Sequence, residues 1–580
     1  MPVAVPFLIA LGLFAIAFVS YGRILARLFG LDPARPTPAV ELQDGADFVP
    51  TRRAYLLGQH FSAITAAGPI VGPIVAGIYF GWLPALLWIV IGAIFIGAMH
   101  DFSALVGSIR HRARSVAEIV REHMSQRAFL LFMGFVWLAL VYIIIAFTDI
   151  TARAFVDSLS LPDGSVVAGG GVATASILYL GLGLLMGLSL HWLRLPLWLA
   201  TLIFLPLVGL AITYGQKYPI ALPAIGGSAV RTWDYLILAY CGIASVIPVW
   251  ALLQPRGYLG GFFLYTVLFA ALTGILLGGD RVLYPAFLGF NSERLGPLFP
   301  VLFITVACGA CSGFHGIVCS GTTSKQLQRE TDAHLIGYGG MLLEGVVAVV
   351  SLVTVMVLVQ GSEAAAGDPN LIYARGIGNF LRVFGVDPTF AVAFGLLAFT
   401  TFVYDTLDVA TRLGRYIFQE LAGARGRRMA WVATLATLVL PALFMSATLR
   451  DARGNEVPAW RVFWTIFGSS NQLLAALTLL GLTVWLLRTG RRTAAWLVAL
   501  PMAFMMTMTL WSLLRMLSAW VERLSTGGGV DPVGPTALIL AVLAVFLILE
   551  GHRSLSSRRQ PAAATPGAPA PAEPRYNRDT

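Results

Sequence analysis

Long apolar runs follow one another along almost the whole chain, each bounded by short basic or Gly/Pro-rich segments. A bilayer core about 30 Å thick is crossed by roughly 20 apolar residues in a helix. By that measure the pattern predicts about fifteen spans, near residues 3–21, 61–80, 84–109, 128–147, 166–190, 195–214, 232–252, 260–278, 298–320, 336–360, 388–410, 430–448, 463–487, 493–515 and 534–550. The expected fold is an all-α polytopic membrane protein. One run, FSAITAAGPIVGPIVAGIYF at 61–80, has no ionisable group but is a poor helix at its centre. Gly68-Pro69 and Gly72-Pro73 lie one helical turn apart, and each proline removes a backbone donor while each glycine loosens the chain. Carbonyls near residues 66–69 should therefore lose their helical partners. Inside a bilayer, unpaired backbone is tolerated only where protein, water or a ligand satisfies it. A broken span is thus a place to hold a solute or an ion, and Ala66, Gly68, Pro69, Gly72 and Pro73 become candidate contacts. The alternative is a Pro-kinked helix whose small residues serve close packing.

The positions of the runs suggest an internal repeat. Spans starting at 61, 84, 128 and 166 are echoed by spans starting at 232, 260, 298 and 336, with a looser fifth pair at 195 and 388. An odd number of spans separates the copies, so the second set of five has inverted topology, the arrangement of five-plus-five inverted-repeat transporters. The partner of the opening span is then residues 234–252, DYLILAYCGIASVIPVWAL, interrupted by Gly242, Ser245 and Pro248. Interruptions at corresponding places in two halves point to a substrate site. The expected division is 1–60 as a first span and loop, 61–230 and 231–411 as the two repeats, 412–553 as four further spans, and 554–580 as a disordered Pro/Ala-rich tail.

Composition agrees with a membrane protein: of 580 residues, 57% are hydrophobic and 12% charged. The net charge of +10 does not suggest nucleic acid, because the basic residues gather at span ends. With the N-terminus outside, the dense clusters Arg110/Arg112/Arg114, Arg425/Arg427/Arg428, Arg488/Arg491/Arg492 and Arg553/Arg558/Arg559 all fall in the cytoplasm, which also receives the C-terminus. The first run lacks a basic leader and reads as a retained span. Four cysteines, three of them in one apolar segment, do not make a disulfide framework.

Ionisable groups within spans cost about 2.5–3.5 kcal/mol at the centre on insertion scales, so each needs a reason. Glu344, in MLLEGVV, is the deepest acid of the repeats and a candidate proton carrier, or else a static hydrogen-bonding group. His60, Asp101 (beside His100), His315, Asp405 and Asp408 lie toward the cytoplasmic span ends and are candidates for an inner gate, with interfacial anchoring as the alternative. In CGACSGFHGIVCSGTTSKQ, the hydroxyls of Ser312, Ser320, Thr322, Thr323 and Ser324 could offer oxygen ligands to sodium, or Lys325 a fixed positive charge. Cys308-x-x-Cys311 with His315 and Cys319 lacks the spacing of a closed zinc site, so no metal or cofactor is expected. Ser469, Ser470, Asn471 and Gln472 could line a pathway or hold helices together.

Seven blocks in order, GQHFSAITAAGPIVGPIVAG, GAMHDF, ASVIPVWALLQPRGYL, ACGACSGFHGIVCSGTTSKQ, GYGGMLLEG, TLDVATRLGRYIFQE and FGSSNQLLAAL, resemble the carbon starvation protein A (CstA) family of inner-membrane transporters. Gln59, Val409, Cys311 and Cys319 depart from the family pattern. The resemblance implies a LeuT-like inverted-repeat core of the amino acid–polyamine–organocation superfamily and proton-coupled uptake of peptides or pyruvate. A secondary transporter working by alternating access is the expectation, with a small-molecule substrate, a coupling proton and the bilayer as its partners. Sodium coupling, a membrane-embedded solute sensor and an intramembrane redox enzyme built on the cysteines are the alternatives. No G-x-x-x-x-G-K-[ST] nucleotide loop is present.

Overall fold

A computed structural model of the chain describes residues 1–44, 48–161, 164–248, 250–424, 426–448, 456–526 and 533–556. The last helix, Val533–Ser556, is followed by the Pro/Ala-rich stretch, which lies outside the described residues, as do Arg425, Arg558 and Arg559. Among the described residues the protein is helical, apart from two short antiparallel strand pairs, Leu159–Ser160 with Val166–Val167 and Asn291–Ser292 with Gly296–Pro297.

Twelve helices are long and apolar enough to cross a membrane, or thirteen when the bent pair Arg53–Ile64 and Gly68–Phe80 is taken as one span. That is fewer than the fifteen expected. Ala229–Val246 falls outside the count, carrying Arg231 and Asp234 in its first turns. Region 298–320 falls outside it because it is split into Leu298–Thr305 and Gly313–Gly321.

Burial separates centre from rim. The apolar windows of His334–Met356, Pro388–Leu421 and Ala459–Arg488 are 89%, 89% and 94% buried, whereas those of Ala4–Leu28 and Leu197–Lys217 are only 28% buried. The central helices carry the polar runs LLEG, YDTLD and GSSNQ, which therefore face protein rather than lipid.

The opening span is bent by 50° between its halves. The break falls at residues 65–67, just ahead of the first Gly-Pro pair, because Pro69 sits in the first turn of Gly68–Phe80, where its missing N–H costs no helical bond. Pro73 lies inside that helix and leaves the Pro69 carbonyl without its helical donor. A second break, at 306–312, crosses the first. A Cβ on Gly72 would lie 2.5 Å from the Thr305 carbonyl oxygen, and one on Gly68 would run into the Cys308 side chain, so only glycine allows the two interrupted chains to touch.

This crossing corrects the assignment of residues 234–252 as the interrupted partner. Ala229–Val246 is one continuous helix, and its break at 247–252, which holds Pro248, is a link to the next helix, Leu253–Leu277. Gly242 and Ser245 face Thr434 and Leu438 of helix Arg427–Ser446; Ser245 Oγ lies 3.0 Å from Thr434 Oγ1. Proline at 248 ended a helix instead of unwinding one, because the apolar stretch beyond it, Leu253–Leu277, is long enough to form a span of its own.

Candidate functional site

Two short π-helical segments, Ala93–Gly97 and His334–Gly339, precede the chemistry-bearing residues of their spans. Such widened turns recur at functional sites, where they re-aim the side chains that follow. The first leads into His100-Asp101, the second toward Glu344. His315, on the helix after the second break, joins them. Its Nδ1 lies 2.9 Å from Asp101 Oδ2 and its Nε2 lies 3.0 Å from Glu344 Oε2. Asp101 Oδ1 in turn lies 2.8 Å from His100 Nδ1. The result is a continuous chain, His100–Asp101–His315–Glu344, in which every side chain is fully buried. His100 Nε2 makes no hydrogen bond among the described residues, and neither do His315 Nε2 and the two Glu344 oxygens, so the His315–Glu344 link is a close ion-pair contact and not an aligned hydrogen bond. An imidazole held between two carboxylates can accept a proton on one nitrogen and release one from the other. Glu344, Asp101 and His315, assigned to two roles from the sequence, thus belong to one assembly.

A second buried cluster centres on Arg256, which sequence reasoning missed. Arg256 Nη2 lies 2.6 Å from Asp405 Oδ1, and Nη1 lies 2.6 Å from Asp408 Oδ2. Tyr240 donates to Asp408 Oδ2 at 2.8 Å and also contacts the Arg256 guanidinium. Tyr179 donates to the Arg256 carbonyl at 2.7 Å. Ser62 completes the cluster, donating to Asp405 Oδ2 at 3.2 Å. Asp405 and Asp408 are therefore paired with an arginine and not with the histidines. The signal was present in LLQPRGYL, but Arg256 was placed between spans because the apolar run was started at 260; the helix begins at Leu253.

The first half of the opening span, Arg53–Ile64, packs against helices of both assemblies. His60 and Ser62, two residues apart, point about 200° apart around a helix of 3.6 residues per turn. His60 Nδ1 lies 2.9 Å from Thr323 Oγ1, and its ring is so close to residue 340 that a Cβ on Gly340 would approach His60 Cδ2 to 2.9 Å. Ser62 faces the Arg256 cluster. A cavity of about 80 Å³, lined by Tyr55, Gln59, Gln254 and Tyr258 among others, lies between this half-helix and Leu253–Leu277, beside Arg256.

The hydroxyls proposed as sodium ligands do not converge. Ser320 donates to the Gly316 carbonyl at 2.7 Å, Thr322 to Val318 at 3.0 Å and Ser324 to Ser320 at 2.9 Å, each within its own turn. Lys325 lies 5.7 Å from the centre of the Phe48 ring. Cys308, Cys311 and Cys319 are buried free thiols. Of the FGSSNQ run, Asn471 accepts from the Phe314 N–H at 3.0 Å and from Ser312 Oγ at 3.2 Å, and Gln472 donates to the Phe303 carbonyl at 3.2 Å. Trp88 Nε1 donates to the Val306 carbonyl at 3.0 Å. These side chains satisfy backbone freed by the second break, as a bilayer demands.

Helical spans around a buried ionisable core make this a polytopic membrane protein. The family profile described as "Carbon starvation protein CstA" matches residues 3–370 and 361–512, and the chain belongs to that family. It is 30% identical to the peptide transporter CstA of Helicobacter pylori over 86% of this chain and 80% of that protein. It is 30% identical to the peptide transporter CstA of Escherichia coli, over 86% of this chain and 79% of that protein. The pyruvate/proton symporter BtsT of Escherichia coli is 29% identical over 87% of this chain and 80% of its own length. Among solved structures, a manganese transporter of Eremococcus coleocola aligns with 88% of this chain and 99% of its own at 13% identity and a TM-score of 0.49. The protein is a membrane transporter and not an enzyme.

Proposed function

We propose that the protein is a proton-coupled symporter that imports a small carboxylate nutrient, a peptide or pyruvate, across the inner membrane by alternating access. The observation that carries this reading is the buried chain His100–Asp101–His315–Glu344, which abuts the second of two crossing helix breaks. The positive end of Gly68–Phe80 lies at that crossing, where Ala66, Gly68, Pro69, Gly72 and Pro73 would receive the substrate carboxylate. A proton on the His315–Glu344 pair alters its charge, and the half-helix bearing His60 responds. Arg256 with Asp405 and Asp408 acts as an inner gate, tied to the same half-helix through Ser62. The N-terminus would lie outside and the C-terminus in the cytoplasm. The names of the relatives support both substrates and, for one of them, the proton. Ser320 and Thr322 give sodium no support, since their hydroxyls are engaged in their own helix.

Uptake into vesicles carrying the purified protein tests this, with labelled pyruvate or a labelled dipeptide under imposed proton or sodium gradients. Accumulation should follow the proton gradient alone. Glu344→Gln should abolish accumulation while leaving exchange of labelled for unlabelled substrate. Sodium-driven uptake, or normal accumulation by Glu344→Gln, would overturn the coupling scheme.

A further inference from the structure

The segment joining span Trp82–Arg110 to span Gln126–Val156 reverses sharply. Arg112 and Ala113 both take positive φ, 59° and 54°, although neither is glycine. Such backbone persists only where its surroundings hold it, and it concentrates at functional sites. Here the turn is held by Ser108 Oγ, which donates to the Arg114 carbonyl at 2.7 Å, and by the Ala113 N–H donating to the Ser108 carbonyl at 2.9 Å. Ser115 then caps helix Val116–His123, accepting from the Glu118 N–H. The reversal brings the far end of that helix back onto the end of the preceding span.

The consequence is that His111 Nε2 and His123 Nε2 face each other at 2.9 Å. His111 Nδ1 lies 2.7 Å from the Gly107 carbonyl, which can only accept, so Nδ1 carries the proton and Nε2 presents a lone pair. Metal-bound histidines are commonly oriented by this kind of bond to a backbone carbonyl. A Glu122 carboxylate oxygen lies 3.9 Å from His123 Nε2. The three ligand atoms all fall within 4.8 Å of one another. Two imidazoles on a tetrahedral ion with bonds near 2.0–2.1 Å have nitrogens roughly 3.3 Å apart, so a small opening of the pair admits one. His123 is buried and Glu122 is exposed, which leaves the fourth position to water. Arg488, from helix Ala459–Arg488, is the nearby cation. Two imidazole ligands favour zinc-class metals over the hard ions that oxygen ligands hold.

We propose that His111, His123 and Glu122 form a binding site for a divalent transition metal, of the zinc class, on the loop between spans Trp82–Arg110 and Gln126–Val156. No metal site was expected from the sequence, and this one does not involve the cysteines considered there. The bound ion would clamp the turn that ends the Asp101-bearing span, ten residues from Asp101 on the same helix.

Tag-free full-length protein in detergent, titrated with cobalt(II), tests it. One equivalent should produce the visible absorption of a tetrahedral ion, zinc should displace it, and zinc but not magnesium should raise the unfolding midpoint. His111→Ala and His123→Ala should each remove the spectrum, and Glu122→Gln should weaken binding at least tenfold. His191→Ala, on a different helix end, should bind as the wild type does. Absence of a tetrahedral spectrum in the wild type overturns the proposal, as does equal binding by His111→Ala. Because Glu122 is exposed, Glu122→Gln keeps the fold, and unchanged affinity in that variant removes the carboxylate from the site.

Discussion

The two buried ionic assemblies differ in what holds them together. In the His100–Asp101–His315–Glu344 chain, every member gains or loses charge with a proton, and His100 Nε2 and Glu344 Oε1 lack hydrogen-bond partners among the described residues. In the Arg256 cluster a permanent cation sits between two carboxylates and is braced by Tyr240 and Tyr179. Arginine does not give up its proton in proteins. The first assembly is therefore built wholly from groups that exchange protons, whereas the second keeps a permanent cation at its centre. That contrast suits one to carry a proton and the other to act as a latch, with Arg53–Ile64 touching both through His60 and Ser62.

The contrast breaks most sharply at Arg256. Arg256→Ala leaves two buried carboxylates without their cation, and removing one partner of a buried ion pair costs about 3–5 kcal/mol. The variant should unfold at markedly lower temperature in detergent and lose uptake. Combining Arg256→Met with Asp405→Asn and Asp408→Asn should restore most of the stability but not transport; recovery of transport would show that the cluster is only structural. Next in size is Glu344→Gln, which should leave the unfolding midpoint within a few degrees of wild type while abolishing proton-driven accumulation. A midpoint drop as large as that of Arg256→Ala would make the two assemblies alike and remove the distinction between them. The smallest effect belongs to Ser62→Ala, which removes one hydrogen bond worth about 0.5–1.5 kcal/mol and leaves Asp405 paired with Arg256. It should shift the balance between inward- and outward-open forms, read as a few-fold change in the labelling rate of a cysteine placed at Gln59, with stability barely altered.

Much of the fold was legible because the hydrophobic requirement of a bilayer is strict and local. Runs of about 20 apolar residues announce spans whatever their neighbours, and the Gly-Pro pairs announced the break near residue 66 because proline lacks a donor in any context. The second break was hidden. Nothing in VACGACSGF forbids a helix locally; its unwound turn is stabilised by Trp88, Asn471 and Gln472, which come from distant stretches. Pro248 misled for the opposite reason, since a proline marks where a helix stops but not whether the stop lies within a span or between two.

The sequence by itself determined that the chain crosses a membrane many times, that its first interrupted span is 61–80, and that Asp101, His315, Glu344, Asp405 and Asp408 each needed a partner, because an isolated charge in a bilayer is costly wherever it lies. Only the tertiary structure decided the partners. His315 went to Asp101 and Glu344, and Arg256 to Asp405 and Asp408. Side chains that meet from different helices do so through the packing angles of those helices, and no local pattern of residues encodes those angles.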